Sequence, residues 1–250
     1  MTKKLIITNW KDYVQSPKQA EELFRLVQNY SGTINPTPYT LITCPSLQYL
    51  PATGYQPPAN LGAQNISLDN SSGLSPKNLK KLKVKYVIIG HSSKRAQGET
   101  DNIINKKIKL AIKEKLKIIL CVGEPLDIRR QGLKAVKKFI AGQLKKDLKK
   151  ILNLKSKILN LIIAYEPIWA ITSQTATETA DDPQKSIEII KFIKEYLQTT
   201  NYKLQTKIIY GGSINSKNIS AFLSYPEING VLIGHASTQK TEFLKILKNI

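Results

Sequence analysis

The chain has 250 residues, above the usual domain size but a common length for an α/β barrel that folds as one unit around a sizeable core. Its formal charge of +20 would draw in any polyanion, whether nucleic acid, an anionic membrane or a small phosphorylated molecule, so charge alone does not choose among them. The lysines, Lys106, Lys107, Lys109, Lys113 and Lys115 among them, are spread through helical segments with few aromatics between them, which reads as a solvated basic surface and argues against single-strand nucleic-acid binding.

Taken in chain order, the first apolar run, Leu5 to Thr8, is too short for a signal peptide or a membrane span, and the expected location is the cytoplasm. Further runs follow at Tyr39 to Thr43, Leu61 to Ala63, Tyr86 to Ile89, Ile118 to Val122, Leu161 to Tyr165, Lys207 to Tyr210 and Val231 to Ile233. Most are continuous rather than alternating, as strands covered on both faces should be. The third is the weakest. Between the runs lie amphipathic segments, three of them opened by a cap residue and a proline: Ser16-Pro17, Ser75-Pro76 and Asp182-Pro183. Alternating strands and helices predict a parallel sheet with helical crossovers, and eight units are the number that closes a barrel. The expected organisation is one domain over 1–250. The polar stretches Ile66 to Ser75 and Thr172 to Asp182 are long enough to be functional loops. Cys44 and Cys121 sit in apolar stretches without a CxxC partner and read as buried small side chains, not as a disulfide or a metal site.

In such a barrel, chemistry sits just past the C-terminal ends of the strands. Those positions hold Asn9-Trp10-Lys11, Gly90-His91-Ser92, Glu166-Pro167-Ile168-Trp169, Gly211-Gly212-Ser213 and Gly234-His235. Taken singly, Glu166 could be a surface acid, His91 a hydrogen-bonded structural histidine, and Gly211-Gly212 a plain tight turn. Together on one rim they suit proton abstraction beside a carbonyl: a carboxylate takes the C–H proton while donors hold the developing enediolate oxygen. Glycines after the last two strands let backbone N–H groups approach an anion.

The segments Asn9-Trp10-Lys11, Gly62-Ala63-Gln64-Asn65, Ile89-Gly90-His91-Ser92, Gly98-Glu99-Thr100-Asp101, Cys121-Val122-Gly123-Glu124, Ala164 to Ala170, Tyr210-Gly211-Gly212-Ser213 and Gly230 to Ser237 occur in order over almost the whole chain. In this the sequence resembles the triosephosphate isomerase family, a single (β/α)8 TIM barrel. The resemblance implies interconversion of dihydroxyacetone phosphate and D-glyceraldehyde 3-phosphate in glycolysis and gluconeogenesis. It assigns Glu166 as the base, His91 as a neutral imidazole polarising the carbonyl, Lys11 as the stabilising cation and Asn9 as an orienting group. The pairing of a glutamate base with a neutral histidine whose pKa a helix N-terminus lowers is the general worked case for this enzyme. Further implied substrate contacts are Gly211, Gly212, Ser213, Gly234 and His235 through backbone N–H groups, Thr172 from the loop after Trp169, and the apolar pair Ile171 and Leu232 closing over the base. The loop after Trp169 is the implied lid, with Pro167-Ile168-Trp169 its first hinge. No metal or organic cofactor is implied, and a homodimer is.

Four departures qualify the resemblance. Ser93 and Lys94 stand where the family has Glu-Arg after His91-Ser92; the missing glutamate removes a charge partner from Lys11, which predicts a lowered lysine pKa and slower turnover, not inactivity. The lid tip lacks the family's glycines, and its second hinge aligns either at Thr175-Ala176 or at Thr179-Ala180, the latter favoured by Asp182-Pro183 as the next helix start. His235 replaces the second glycine after the eighth strand, keeping a backbone N–H. The loop from Ile66 to Leu74 lacks the Phe-Thr-Gly-Glu stretch that inserts into a partner subunit, so a weak dimer or a monomer is an open alternative. Two other readings stay open: a barrel with weakened catalysis that binds anions or nucleic acid, and an isomerase of a different phosphorylated sugar.

Overall fold

A computed structural model describes residues 3–33, 39–50, 60–69, 74–151, 161–171, 182–199 and 206–250, with residues 31–33 described in their backbone alone. In chain order the elements are β1 (Lys4–Asn9), α1 (Pro17–Thr33), β2 (Tyr39–Cys44), β3 (Gly62–Ala63), α2 (Pro76–Lys81), β4 (Tyr86–Ile89), α3 (Ser92–Ala96), α4 (Asp101–Lys113), β5 (Lys117–Val122), α5 (Leu126–Arg130), α6 (Leu133–Asp147), β6 (Leu161–Tyr165), α7 (Pro183–Thr199), β7 (Lys207–Tyr210), α8 (Ile219–Ser224), β8 (Gly230–Ile233) and α9 (Lys240–Lys248). The strands form one parallel sheet in the order β2-β1-β8-β7-β6-β5-β4-β3. A parallel bridge from Thr43 to Leu61 joins its two ends, so the sheet closes as a (β/α)8 barrel.

All eight apolar runs lie in or against strands, several one residue longer than expected at an end. The third is the exception: its ladder holds only Gly62 and Ala63, and Leu61 takes part through the bridge to Thr43 alone. The proline-marked starts are where α1, α2 and α7 begin. Their caps work as side-chain acceptors for N–H groups that the helix itself cannot satisfy: Ser75 Oγ accepts from Asn78 N–H at 3.3 Å, and Asp182 Oδ1 from Gln184 N–H at 2.9 Å.

Side chains alternate across each strand and divide the core in two. Leu5, Ile7, Ile42, Ile88, Ile119, Ile162, Ala164, Ile209 and Leu232 pack together inside the barrel. Ile6, Val87, Ile89, Ile118, Leu120, Ile163, Tyr165, Tyr210 and Val231 belong to the larger cluster that also holds helix residues such as Leu23, Ile108, Ile140, Ile190 and Phe243. Truncating one such buried isoleucine to alanine costs about 2–5 kcal/mol. The same parity carries forward to the rim: Asn9 follows Leu5 and Ile7, and Glu166 follows Ile162 and Ala164. Both residues are buried.

Both cysteines are buried and unbridged, as expected. One surface expectation needs correction. Lys106, Lys109, Lys113 and Lys115 are exposed, but Lys107 is buried. Its ammonium donates to Asn65 Oδ1 at 2.9 Å and pairs with Glu99, and a charge so paired and hydrogen-bonded is the kind an interior accepts.

Candidate active site

The loops beyond the strand ends enclose a cavity of about 210 Å³ lined by Asn9, Lys11, His91, Glu166, Ile171, Gly211, Gly212, Ser213, Leu232, Gly234 and His235, with Tyr13 and Gln239 at its edge. Every residue expected to act on or contact the substrate lines it except Thr172, which lies outside the described residues together with the lid tip and both proposed second hinges.

Lys11 is held by its backbone. Its φ of 48° is left-handed, which costs a residue with a Cβ about 1–2 kcal/mol. Three groups fix it there: Asn9 Oδ1 accepts from Lys11 N–H at 3.1 Å, and the Lys11 carbonyl accepts from Ser46 Oγ at 2.5 Å and from Gln64 Nε2 at 2.8 Å. Nothing local in the sequence marks Ser46 or Gln64 for this role, although Gln64 lies in the Gly62-Ala63-Gln64-Asn65 segment. Burial lowers the pKa of the Lys11 ammonium, with Glu166 and Cys121 opposing. The direction matches the expectation, but desolvation is its main cause.

His91 caps the N-terminus of α3. Its Nδ1 accepts from Ser93 N–H at 3.2 Å and lies 2.8 Å from Ser93 Oγ, which leaves Nε2 to point at Glu166 Oε1, 3.6 Å away. Burial lowers the His91 pKa first; Glu166 opposes this, and Lys11 and Lys94 add to it, so the ring is neutral at physiological pH.

Glu166 is 2 % exposed, and its Oε2 has no hydrogen-bond partner among the described residues. The seat around it is glycine-walled. A Cβ on Gly211 would lie 2.6 Å from Glu166 Cγ, and one on Gly123 would lie 1.7 Å from the Glu166 carbonyl oxygen. The sequence suggested Gly211 for anion contact; the structure adds that it makes room for the carboxylate. Cys121, expected only as a small buried side chain, is a neighbour of Glu166 as well: burial, with Glu166 adding, pushes its thiol well up. Pro167-Ile168-Trp169, expected as a first hinge, leads into a single 3₁₀ turn, Ile168–Ala170. Glu124, unassigned from the sequence, anchors it: its carboxylate accepts from Trp169 Nε1 at 3.0 Å and from Tyr165 OH at 3.1 Å.

Ser213, expected to contact an anion, turns both of its donors to one oxygen. Its N–H donates to the Ala170 carbonyl at 3.0 Å and its Oγ to the same oxygen at 2.8 Å, so the N–H is occupied here. His235 begins a 3₁₀ turn and is exposed, its ring centroid 4.7 Å from that of Tyr13. Non-glycine residues with positive φ among the described ones are Lys11, Lys83, Lys115 and Lys150, so His235 replaces glycine without that strain.

A closed parallel α/β barrel with a buried carboxylate, a neutral imidazole and a lysine around one cavity defines an enzyme of the proton-transfer type. The family model described as triosephosphate isomerase matches residues 4–250. Among curated proteins, the chain is 35 % identical over 256 residues to the triosephosphate isomerase of Clostridium botulinum, covering 99 % of each chain. It is 37 % identical over 260 residues to that of Borreliella burgdorferi, covering 100 % of each, and 36 % identical over 260 residues to that of Carboxydothermus hydrogenoformans, covering 99 % of each. The chain belongs to the triosephosphate isomerase family.

Proposed function

We propose that the chain, a single barrel domain, interconverts dihydroxyacetone phosphate and D-glyceraldehyde 3-phosphate in glycolysis and gluconeogenesis. The observation that carries the reading is the buried pair of Glu166 Oε1 and His91 Nε2, 3.6 Å apart, in the same cavity as Lys11. Glu166 takes the proton from the carbon beside the carbonyl. The C–H electron pair becomes the carbon–carbon double bond of an enediolate, and the carbonyl oxygen takes the negative charge. His91 Nε2–H and the Lys11 ammonium hold that oxygen; the hydroxyl proton on the adjacent carbon's oxygen passes to it by way of His91 Nε2, and Glu166 returns its proton to the former carbonyl carbon as the adjacent carbon–oxygen bond becomes the new carbonyl. A positioned base contributes about 10²–10⁴-fold and one fixed oxyanion donor about 10²–10³-fold. Asn9, which supports Lys11 N–H, orients the substrate. Backbone groups at Gly212, Gly234 and His235 accept the phosphate, with Thr172 joining from the lid. Ser213 joins them only if the Ala170 carbonyl leaves its N–H, which couples phosphate binding to movement of the 3₁₀ turn. Ile171 and Leu232, both buried, shield the reacting carbons from water.

A coupled assay on purified protein with glyceraldehyde 3-phosphate tests this. Glu166→Gln is expected to lower kcat/KM about 10³-fold. No activity, or equal activity in the variant, sinks the reading in favour of an anion-binding barrel, and a preference for another sugar phosphate in a substrate panel redirects it.

The protein is further read as a cytoplasmic homodimer. Among the described residues no helix is long and apolar enough to cross a membrane, and both cysteines are free and buried, which suits a reducing compartment. Leu47 and Leu68, on the loops after β2 and β3, are 44 % and 45 % exposed and offer apolar surface to a second copy. Sedimentation at micromolar and nanomolar concentrations decides between a dimer and a monomer.

A further inference from the structure

Ser93 stands where the resemblance expects a glutamate, and its two donors converge on one atom. Nδ1 of His91 receives Ser93 N–H at 3.2 Å, and Ser93 Oγ lies closer, at 2.8 Å. A backbone N–H only donates, so the nitrogen it meets carries no proton. The hydroxyl must then donate as well, and its shorter contact makes it the principal partner of that lone pair. The remaining ring proton sits on Nε2, the nitrogen aimed at the cavity and Glu166. An ionised carboxylate at position 93 is acceptor-only and could not make this bond.

We propose that the Ser93 hydroxyl is a positioning residue of this enzyme, which by donating to His91 Nδ1 holds the imidazole in the neutral Nε2–H tautomer that polarises the substrate carbonyl. The proposal rests on the isomerase reading for its catalytic meaning, but the hydrogen bond is a property of the free protein. The bond stabilises the neutral ring over the imidazolium, because protonating Nδ1 would break it. The other charged groups around the ring are Glu166 from the end of β6, Lys11 from the loop after β1, and Lys94 on α3 itself. Burial already favours the neutral form, and the hydroxyl joins the Ser93 backbone N–H in keeping the proton off Nδ1.

The experiment is ¹⁵N NMR of the imidazole nitrogens across pH, in the unsubstituted protein and in Ser93→Ala and Ser93→Thr, alongside kcat and KM. The chain has two histidines, His91 and His235, so the signals are few and a His235→Asn protein assigns them. The unsubstituted protein should show a pyridine-type Nδ1 and a protonated Nε2. In Ser93→Ala the ring should begin to populate Nδ1–H and its pKa should rise. The acid limb of kcat/KM should move to higher pH, and kcat should fall about fivefold with KM within twofold; Ser93→Thr should restore all of these. Ring signals and an acid limb in Ser93→Ala that superimpose on those of the unsubstituted protein would overturn the proposal, as would a threonine variant no better than alanine. The NMR arm decides the bond whether or not the protein turns over triose phosphate, so its failure is distinguishable from failure of the isomerase reading.

Discussion

The two sides of the cavity are built on different plans. Lys11, His91 and Glu166 line it with side chains, and each is fixed by its surroundings: Ser46 and Gln64 hold the Lys11 carbonyl, Ser93 two residues on holds the His91 ring, and Gly123 and Gly211 leave the space that Glu166 fills. On the opposite side, Ser213, Gly234 and His235 sit on turns after β7 and β8, half-buried or exposed, and present mainly main chain. A reacting side chain is only as well placed as its surroundings, whereas a backbone donor tolerates a new side chain if φ remains allowed.

The largest effect expected from this contrast is at His91. His91→Gln should lower kcat/KM about 10²–10³-fold, mostly in kcat, because in the proposed mechanism it replaces the imidazole donor fixed for the transition state. Steady-state kinetics check this, and a change confined to KM would place His91 with the binding groups instead. Next comes Gly211→Ala. A Cβ there would lie 2.6 Å from Glu166 Cγ, so the carboxylate must shift; a displacement on the order of 1 Å costs about 10²-fold in rate. Retention of kcat/KM within threefold would show that the glycine wall does not set the base.

The side of the cavity that holds His91 also leans on a part-buried charge network. Arg95 donates from Nε to the Gly90 carbonyl at 2.8 Å, just before His91, and from its two terminal nitrogens to Asp101 at 2.8 Å and Asp147 at 2.6 Å. Burial pushes the Asp147 carboxyl from 3.8 up to about 7, with Arg95 opposing and Asp101 adding to the rise. The folded protein therefore keeps a proton there that the unfolded chain has already released. This contribution to stability is complete below pH 3.8 and is lost as pH rises to about 7, at no more than about 1.4 kcal/mol per pH unit. Urea unfolding at pH 5, 6 and 7 should show that slope flattened in Asp147→Asn. Parallel slopes in the two proteins would remove Asp147 from the pH response.

Much of the architecture was legible because its signals are local. Apolar runs such as Ile118 to Val122 and caps such as Ser75-Pro76 act within a few residues, and both fall where β5 and α2 lie. The grouping of Asn9, Lys11, His91 and Glu166 around one cavity follows from strand ends sharing one rim. What stayed hidden depends on register across the barrel. Cys121 meets Glu166 because β5 pairs with β6, with Cys121 opposite Ala164, and Gly211 meets it because β6 pairs with β7, with Tyr165 opposite Tyr210. Lys107 looked like one more surface lysine because nothing near it in sequence announces Asn65 as a partner 42 residues away. The third strand was faint because two residues carry it, and a parallel bridge supplies the rest of the closure.

The smallest effect is expected at His235, and it tests the contrast most directly. If the anion side works through main chain, His235→Gly keeps the donor that matters and loses only the ring that lies 4.7 Å from Tyr13. An aromatic contact of that kind is worth about 0.5–1.5 kcal/mol where it is well packed, and His235 is exposed, so the low end applies. That corresponds to a change in KM of about twofold, with kcat moving less. Added backbone freedom at a glycine pushes in the same direction and does not enlarge the estimate much. A tenfold rise in KM with kcat held would mean that the imidazole itself binds the phosphate. The anion side would then depend on a placed side chain, as the catalytic side does.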